Sequence, residues 1–96
     1  MASRVTIYGD PKDRDFKRLK REMNVLYVEY DEADLTRDAS AARHLAESVD
    51  KSLVQPIVEI RRPDGDSSLF ISNPDEPTLR HSFYAEEILS VTSYWV

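Results

Sequence analysis

Three aspartates and two bases crowd one short stretch, Asp10-Pro11-Lys12-Asp13-Arg14-Asp15, directly after a Val-Thr-Ile-Tyr-Gly run. Carboxylates at this density raise three chemistries: general base, hard-cation ligand, or helix capping. Residues two apart on a helix do not face each other, so Asp13 and Asp15 do not converge on an ion, and no metal is expected here. Asp13 also has Lys17 at helical spacing as a basic neighbour. A first-turn acid that steadies the helix is the plainer role for Asp13. His44 and His81 are the only histidines, no Gly-x-Ser-x-Gly elbow accompanies them, and surface positions are expected for both. The chain has no cysteine, which excludes thiol catalysis, disulfides and thiolate metal sites within it. Its two glycines, Gly9 and Gly65, are too far apart for a phosphate-cradling loop.

The elements around this stretch follow from periodicity. Arg4-Val5-Thr6-Ile7-Tyr8 alternates as a strand, with Val5 and Ile7 on one face. Gly9 breaks it. Asp10 is then the expected N-cap, Pro11 the first helical residue, and Asp13 the third, reaching back toward the cap. Phe16, Leu19 and Met23 form a narrow apolar stripe. Val25-Leu26-Tyr27-Val28-Glu29-Tyr30 reads as a second strand, parallel to the first through a right-handed crossover. A second helix is expected from about Ala39 to Val49, capped by Thr36 or Asp38. Ala39, Ala42, Leu45, Ala46 and Val49 would face inward. Pro56 to Ile60 and Ser68 to Ile71 pair as a hairpin through Arg62-Pro63-Asp64-Gly65-Asp66. A last helix lies between Thr78 and Leu89, with a possible split near Ser82 and with Leu79, Phe83, Ile88 and Leu89 as anchors. The apolar stretch Val91 to Val96 is expected to strap the domain or to meet a partner.

The run VTIYGDPKDRDFKRLK resembles the opening of glutaredoxins and related thioredoxin-fold domains. These begin with such a strand, two residues, Pro, one residue, then Cys-x-x-Cys opening a basic helix. Asp13 stands at the place of the nucleophilic cysteine and Phe16 at the place of the second. Leu53-Val54-Gln55-Pro56-Ile57 falls where the family has Thr-Val-Pro; Pro56 matches and Gln55 departs. The resemblance implies that the Gln55–Pro56 peptide is cis. The family's Gly-Gly-Asp element falls near Ser72-Asn73-Pro74-Asp75, where both glycines are missing. The fold implied is α/β, thioredoxin-like, of glutaredoxin type in the order βαβ-α-ββ-α. It has a single four-stranded mixed sheet with helices on both faces, in one domain over residues 1–96. Periodicity and turns give the same element order independently.

The resemblance implies a redox-inactive domain that binds a protein partner as an adaptor or regulatory subunit. A residual glutathione- or anion-binding protein, and a cysteine-free enzyme using the groove beside Pro56, stay open as alternatives. No catalytic residue and no cofactor are assigned. Ligand or partner contacts are expected from Lys12, Asp13, Arg14, Gln55, Pro56 and Asp75, at the degenerate active-site edge.

Charge bounds the partners. The net charge is −5, unevenly placed: seven bases meet four acids up to Asn24, and six meet fourteen from Val25 onward. The first helix is a basic ridge on an acidic chain. That suits a solvated helix face or an acidic partner better than nucleic acid, which needs a wider basic surface. No apolar run approaches the roughly 20 residues that span a bilayer. No secretory pattern is visible before the first strand, so a cytoplasmic setting is expected.

Overall fold

The computed structural model describes residues 3–50 and 53–89. The stretch Val91 to Val96 lies outside the described residues. Seven elements follow in order: β1 (Arg4–Gly9), α1 (Arg14–Val25), β2 (Asp31–Asp34), α2 (Ala39–Ser48), β3 (Ile57–Arg61), β4 (Ser68–Ser72) and α3 (Glu76–Ala85). The strands form one mixed sheet in the order β2-β1-β3-β4. β1 and β2 run parallel, with Thr6 opposite Asp31 and Gly9 opposite Asp34. β1 pairs antiparallel with β3, and β3 antiparallel with β4.

Alternation along the strands divides the core between the two faces. Val5, Ile7, Val58 and Ile60 meet Phe16, Leu19 and Met23 of α1 and Leu79 and Phe83 of α3. Tyr8, Ala33 and Ile57 meet Leu45 of α2 on the other face, with Ala41, Val49 and Phe70 half-buried around them. Helices therefore cover both faces of the sheet.

The parallel strand is not where the apolar run places it. Val25 to Tyr30 is the end of α1 and a turn, and β2 is the acidic Asp31-Glu32-Ala33-Asp34 that follows. The cause is the way α1 closes. Tyr27 donates to the Asn24 carbonyl (3.2 Å) and Val28 to the Met23 carbonyl (3.0 Å). Tyr27 takes the left-handed conformation, φ 56°. This pair of bonds is the Schellman closure, whose left-handed position is usually glycine. Buried Val28 shares a core cluster with Met23, completing the motif's hydrophobic contact. α3 closes identically: Glu87 has φ 60°, and Ile88 donates to the Phe83 carbonyl at 2.8 Å. As an edge strand, β2 exposes its carboxylates, which discourages pairing with another chain.

The helix starts also differ in detail. Asp10 caps a turn rather than α1: its carboxylate accepts from Lys12 N (2.9 Å) and its carbonyl from Asp13 N (2.9 Å). α1 begins at Arg14, and Asp13 is its N-cap residue, with a side chain that caps no amide. Asp38 caps α2 as expected, accepting from Ala41 N at 3.0 Å. The inward side of α2 is rotated, however. Ala39 and Ala46 are exposed, while Leu45 is buried. α3 is not split at Ser82, whose hydroxyl folds back onto the Thr78 carbonyl (2.9 Å), and it ends at Ala85.

Candidate functional site

Three chain segments meet at the end of β1. Gly9 is the pivot. A Cβ there would lie 3.0 Å from Phe16 Cδ2 and 3.2 Å from Pro56 Cβ, so glycine lets α1 and the Pro56 loop close on the strand without pushing either neighbour back. Phe16 and Pro56 are fully buried, and the Gln55–Pro56 peptide is cis. The Pro56 carbonyl accepts from Asn73 N at 2.8 Å, tying in the loop between β4 and α3. Ser72 Oγ accepts from Val54 N (2.8 Å) and donates to the Val54 carbonyl (2.9 Å).

Arg18 clamps that loop to α1. Its Nη2 donates to Asn73 Oδ1 (2.8 Å) and its Nη1 to the Pro74 carbonyl (3.1 Å). The same Nη1 meets both oxygens of Glu22 at 3.0 Å, and Nε lies 3.5 Å from Asp15. Asn73 Nδ2 donates to Asp15 Oδ2 at 3.4 Å. Sequence reasoning placed Arg18 only on a solvated ridge. Nothing local marks it as a clamp, because the loop groups it holds, Asn73 and Pro74, lie more than fifty residues away. Lys20 of the same ridge pairs with Glu32 at 3.3 Å.

The expected site residues divide by their surroundings. Lys12, Asp13, Arg14 and Gln55 are exposed on the rim. Lys12 and Arg14 make no ion pair among the described residues. Pro56, expected as a contact, is instead fully buried and shapes the rim from beneath. Asp75 is already employed: it N-caps α3, accepting from Thr78 N at 2.9 Å. The Thr78 hydrogen bonds, and secondarily the Arg18 charge, hold its carboxyl below the usual carboxylate range. Beside Gln55 lies a cleft of about 340 Å³ walled mainly by Leu35, Ala42, Leu45, Ala46 and Val49, with Asp50 also in its lining. The rim is thus cationic at Lys12 and Arg14, with apolar walls on the α2 side.

A second polar cluster occupies the α2 face of the sheet. Glu59, at the centre of β3, is only 3% exposed. Tyr8 Oη donates to its Oε1 and Ser68 Oγ to its Oε2, both at 2.6 Å. His44 Nε2 lies 3.3 Å from Oε1, and Arg61 Nε 3.7 Å from Oε2. The His44 ring sits between Tyr8 and Phe70, with centroids 6.2 and 6.4 Å away. Burial is the largest single influence on Glu59 and acts to raise its pKa. The Ser68 and Tyr8 hydrogen bonds and His44 together outweigh it and hold the carboxyl below its ordinary value. Burial first, then the Glu59 hydrogen bond and charge, push the Tyr8 phenol well up. Among the described residues, no buried side-chain polar atom lacks a partner, so this cluster is satisfied. Its signal in the sequence was a single charge inside Ile57-Val58-Glu59-Ile60.

Compared with family models, with curated proteins and with solved structures, the chain gives no match. Its functional reading therefore rests on its own residues.

Proposed function

We propose that this chain is a thioredoxin-like domain of glutaredoxin type without redox chemistry. It binds an acidic segment of a protein partner at the edge where β1, α1 and the Pro56 loop meet, as an adaptor or regulatory subunit in the cytoplasm. The observation that carries this reading is the convergence of the Gly9 turn, the Pro56 loop and the Asn73–Asp75 loop on one rim. That rim presents two cations, Lys12 and Arg14, with no ion-pair partner among the described residues. The sheet order and the strand directions support the fold part of the reading.

The chemistry follows from charge and exposure. Lys12 and Arg14 donate to a carboxylate, and the planar guanidinium of Arg14 can do so in bidentate fashion. The first-turn amides of α1 receive no cap from the Asp13 side chain, so they are free to add donors. The Asp13 carboxylate opposes a guest anion, which keeps binding weak and leaves the two side chains as the main contacts. The apolar cleft beside Gln55 accepts a neighbouring hydrophobic side chain. Without cysteine, no electron pair can pass between thiol and disulfide here.

The test is an NMR titration of the ¹⁵N-labelled chain with a short acidic peptide and with glutathione. The expected shifts fall on Lys12 to Arg14, Gln55 and Asn73 to Asp75, and are larger for the peptide. Shifts confined to the far end of the sheet overturn the reading. A glutathione-coupled disulfide assay is expected to show no turnover above the uncatalysed rate.

A further inference from the structure

We propose that the turn closing α1, with the cleft beside it, is a docking pocket for a lysine or arginine side chain of a partner protein. This surface lies at the start of β1, away from the Gly9 rim, and does not depend on the reading of that rim. The cleft measures about 730 Å³ and is lined by Tyr27, Tyr30, Glu29, Asp31, Asn24 and Arg4, among others. That volume is within the range of ligand sites.

Tyr27 is 95% exposed, and Val25, two residues earlier, is 75% exposed. The closing position of a Schellman turn needs a left-handed residue, and glycine fills it at least cost. The same position in α3 carries Glu87, an exposed charged residue suited to water. In α1 it carries an aromatic ring held out in solvent. Folding gains nothing from that exposure; a binding surface does.

The charges select the guest. Glu29 and Asp31 supply two carboxylates against the single guanidinium of Arg4, a balance of −1. Arg4 Nε meets Asp31 Oδ2 at 2.9 Å with both side chains largely exposed, so this pair is weak and can exchange for an incoming cation. A cation over the face of Tyr27 or Tyr30 gains the ring's quadrupole attraction together with the pull of Glu29. An anion meets repulsion from both carboxylates.

The test is an NMR titration of the ¹⁵N-labelled chain with capped tetralysine at low salt, with capped tetraglutamine as control. Shifts should concentrate at Asn24 and from Tyr27 to Asp31 with tetralysine alone. Tyr27→Ala leaves the charge unchanged and should weaken binding about two- to fivefold. Tyr27→Gly removes the ring but suits the left-handed backbone. It should lose affinity equally while melting no lower than wild type, which separates binding from folding. Diffuse shifts over the acidic surface that ignore both substitutions overturn the proposal. Equal shifts with tetraglutamine overturn it as well.

Discussion

On the face of the sheet that α1 and α3 cover, Phe16, Leu19, Met23, Leu79 and Phe83 pack against Val5, Ile7, Val58 and Ile60, an all-hydrocarbon set but for one thioether. On the face that α2 covers, the apolar cluster is smaller, and a buried carboxylate lies beside it. Burial of apolar surface is non-directional and tolerates adjustment. A buried carboxylate holds only while each of its partners stays in place. The first face therefore carries most of the stability, whereas the second depends on geometry. That difference also bears on function, since α2 supplies a wall of the cleft beside Gln55.

The largest effect should come from the dry face. Phe16→Ala or Phe83→Ala is expected to cost about 3–5 kcal/mol in urea unfolding, because both rings are fully buried. Leu45→Ala, under α2, should cost less, about 2–3 kcal/mol, since the side chain is smaller and its cluster holds only Tyr8, Ala33 and Ile57 as further buried members. Equal losses on the two faces would break the comparison.

Next comes the Glu59 cluster. Tyr8→Phe keeps the ring but removes a hydrogen bond to a charged group, and is expected to cost about 1.5–3 kcal/mol. The pH dependence has a definite sign. The Glu59 carboxyl is held below its ordinary value of 4.5 when folded, so its stabilisation is present above that value and is lost as pH falls through the folded pKa. Asp34, Asp64 and Asp75 shift in the same direction, so Glu59→Gln should flatten the acid limb only in part. The Tyr8 phenol is raised, so its contribution is intact below about pH 10 and is lost as pH rises further. Ultraviolet titration at alkaline pH should show one tyrosine resisting ionisation until the chain unfolds. A tyrosine set that titrates together contradicts the buried Tyr8–Glu59 bond.

The smallest effect is a gain. Tyr27→Gly relieves a left-handed non-glycine residue, and urea unfolding is expected to show a net stabilisation of up to about 1 kcal/mol. A loss instead would mean that the Tyr27 ring helps hold the end of α1.

How much of this was legible follows from the range of the signals. β1, the Asp38 cap, the hairpin over Arg62 to Asp66 and the burial of Phe16 are written in local types and spacing, and they stand. The run Val25 to Tyr30 misled because it is as apolar as a buried strand. The helix closure inside it uses Tyr27 where the usual signal is glycine. The end of α3 was hidden for the same reason at Glu87. At the candidate site, the cis Gln55–Pro56 peptide was legible through the resemblance. The Arg18 clamp was not, since it depends on how the β4–α3 loop lies against α1. The Asp75 cap is local, three residues before Thr78, but the sequence reading takes Asp75 as a contact residue and not as a cap. The rotation of α2 was likewise set at long range, with His44 close to Glu59, fifteen residues on.

The proposed binding edge stands or falls on Lys12 and Arg14. The direct measurement is the affinity of the chain for a short acidic peptide at low salt, compared with the Lys12→Ala, Arg14→Ala double variant. Lys17→Ala, Arg21→Ala on the same helix serves as an equal-charge control. The account predicts a roughly tenfold loss for the first pair and little change for the second, since exposed charge pairs contribute up to about 1 kcal/mol each. Equal losses for both pairs, or none for the first, would contradict it.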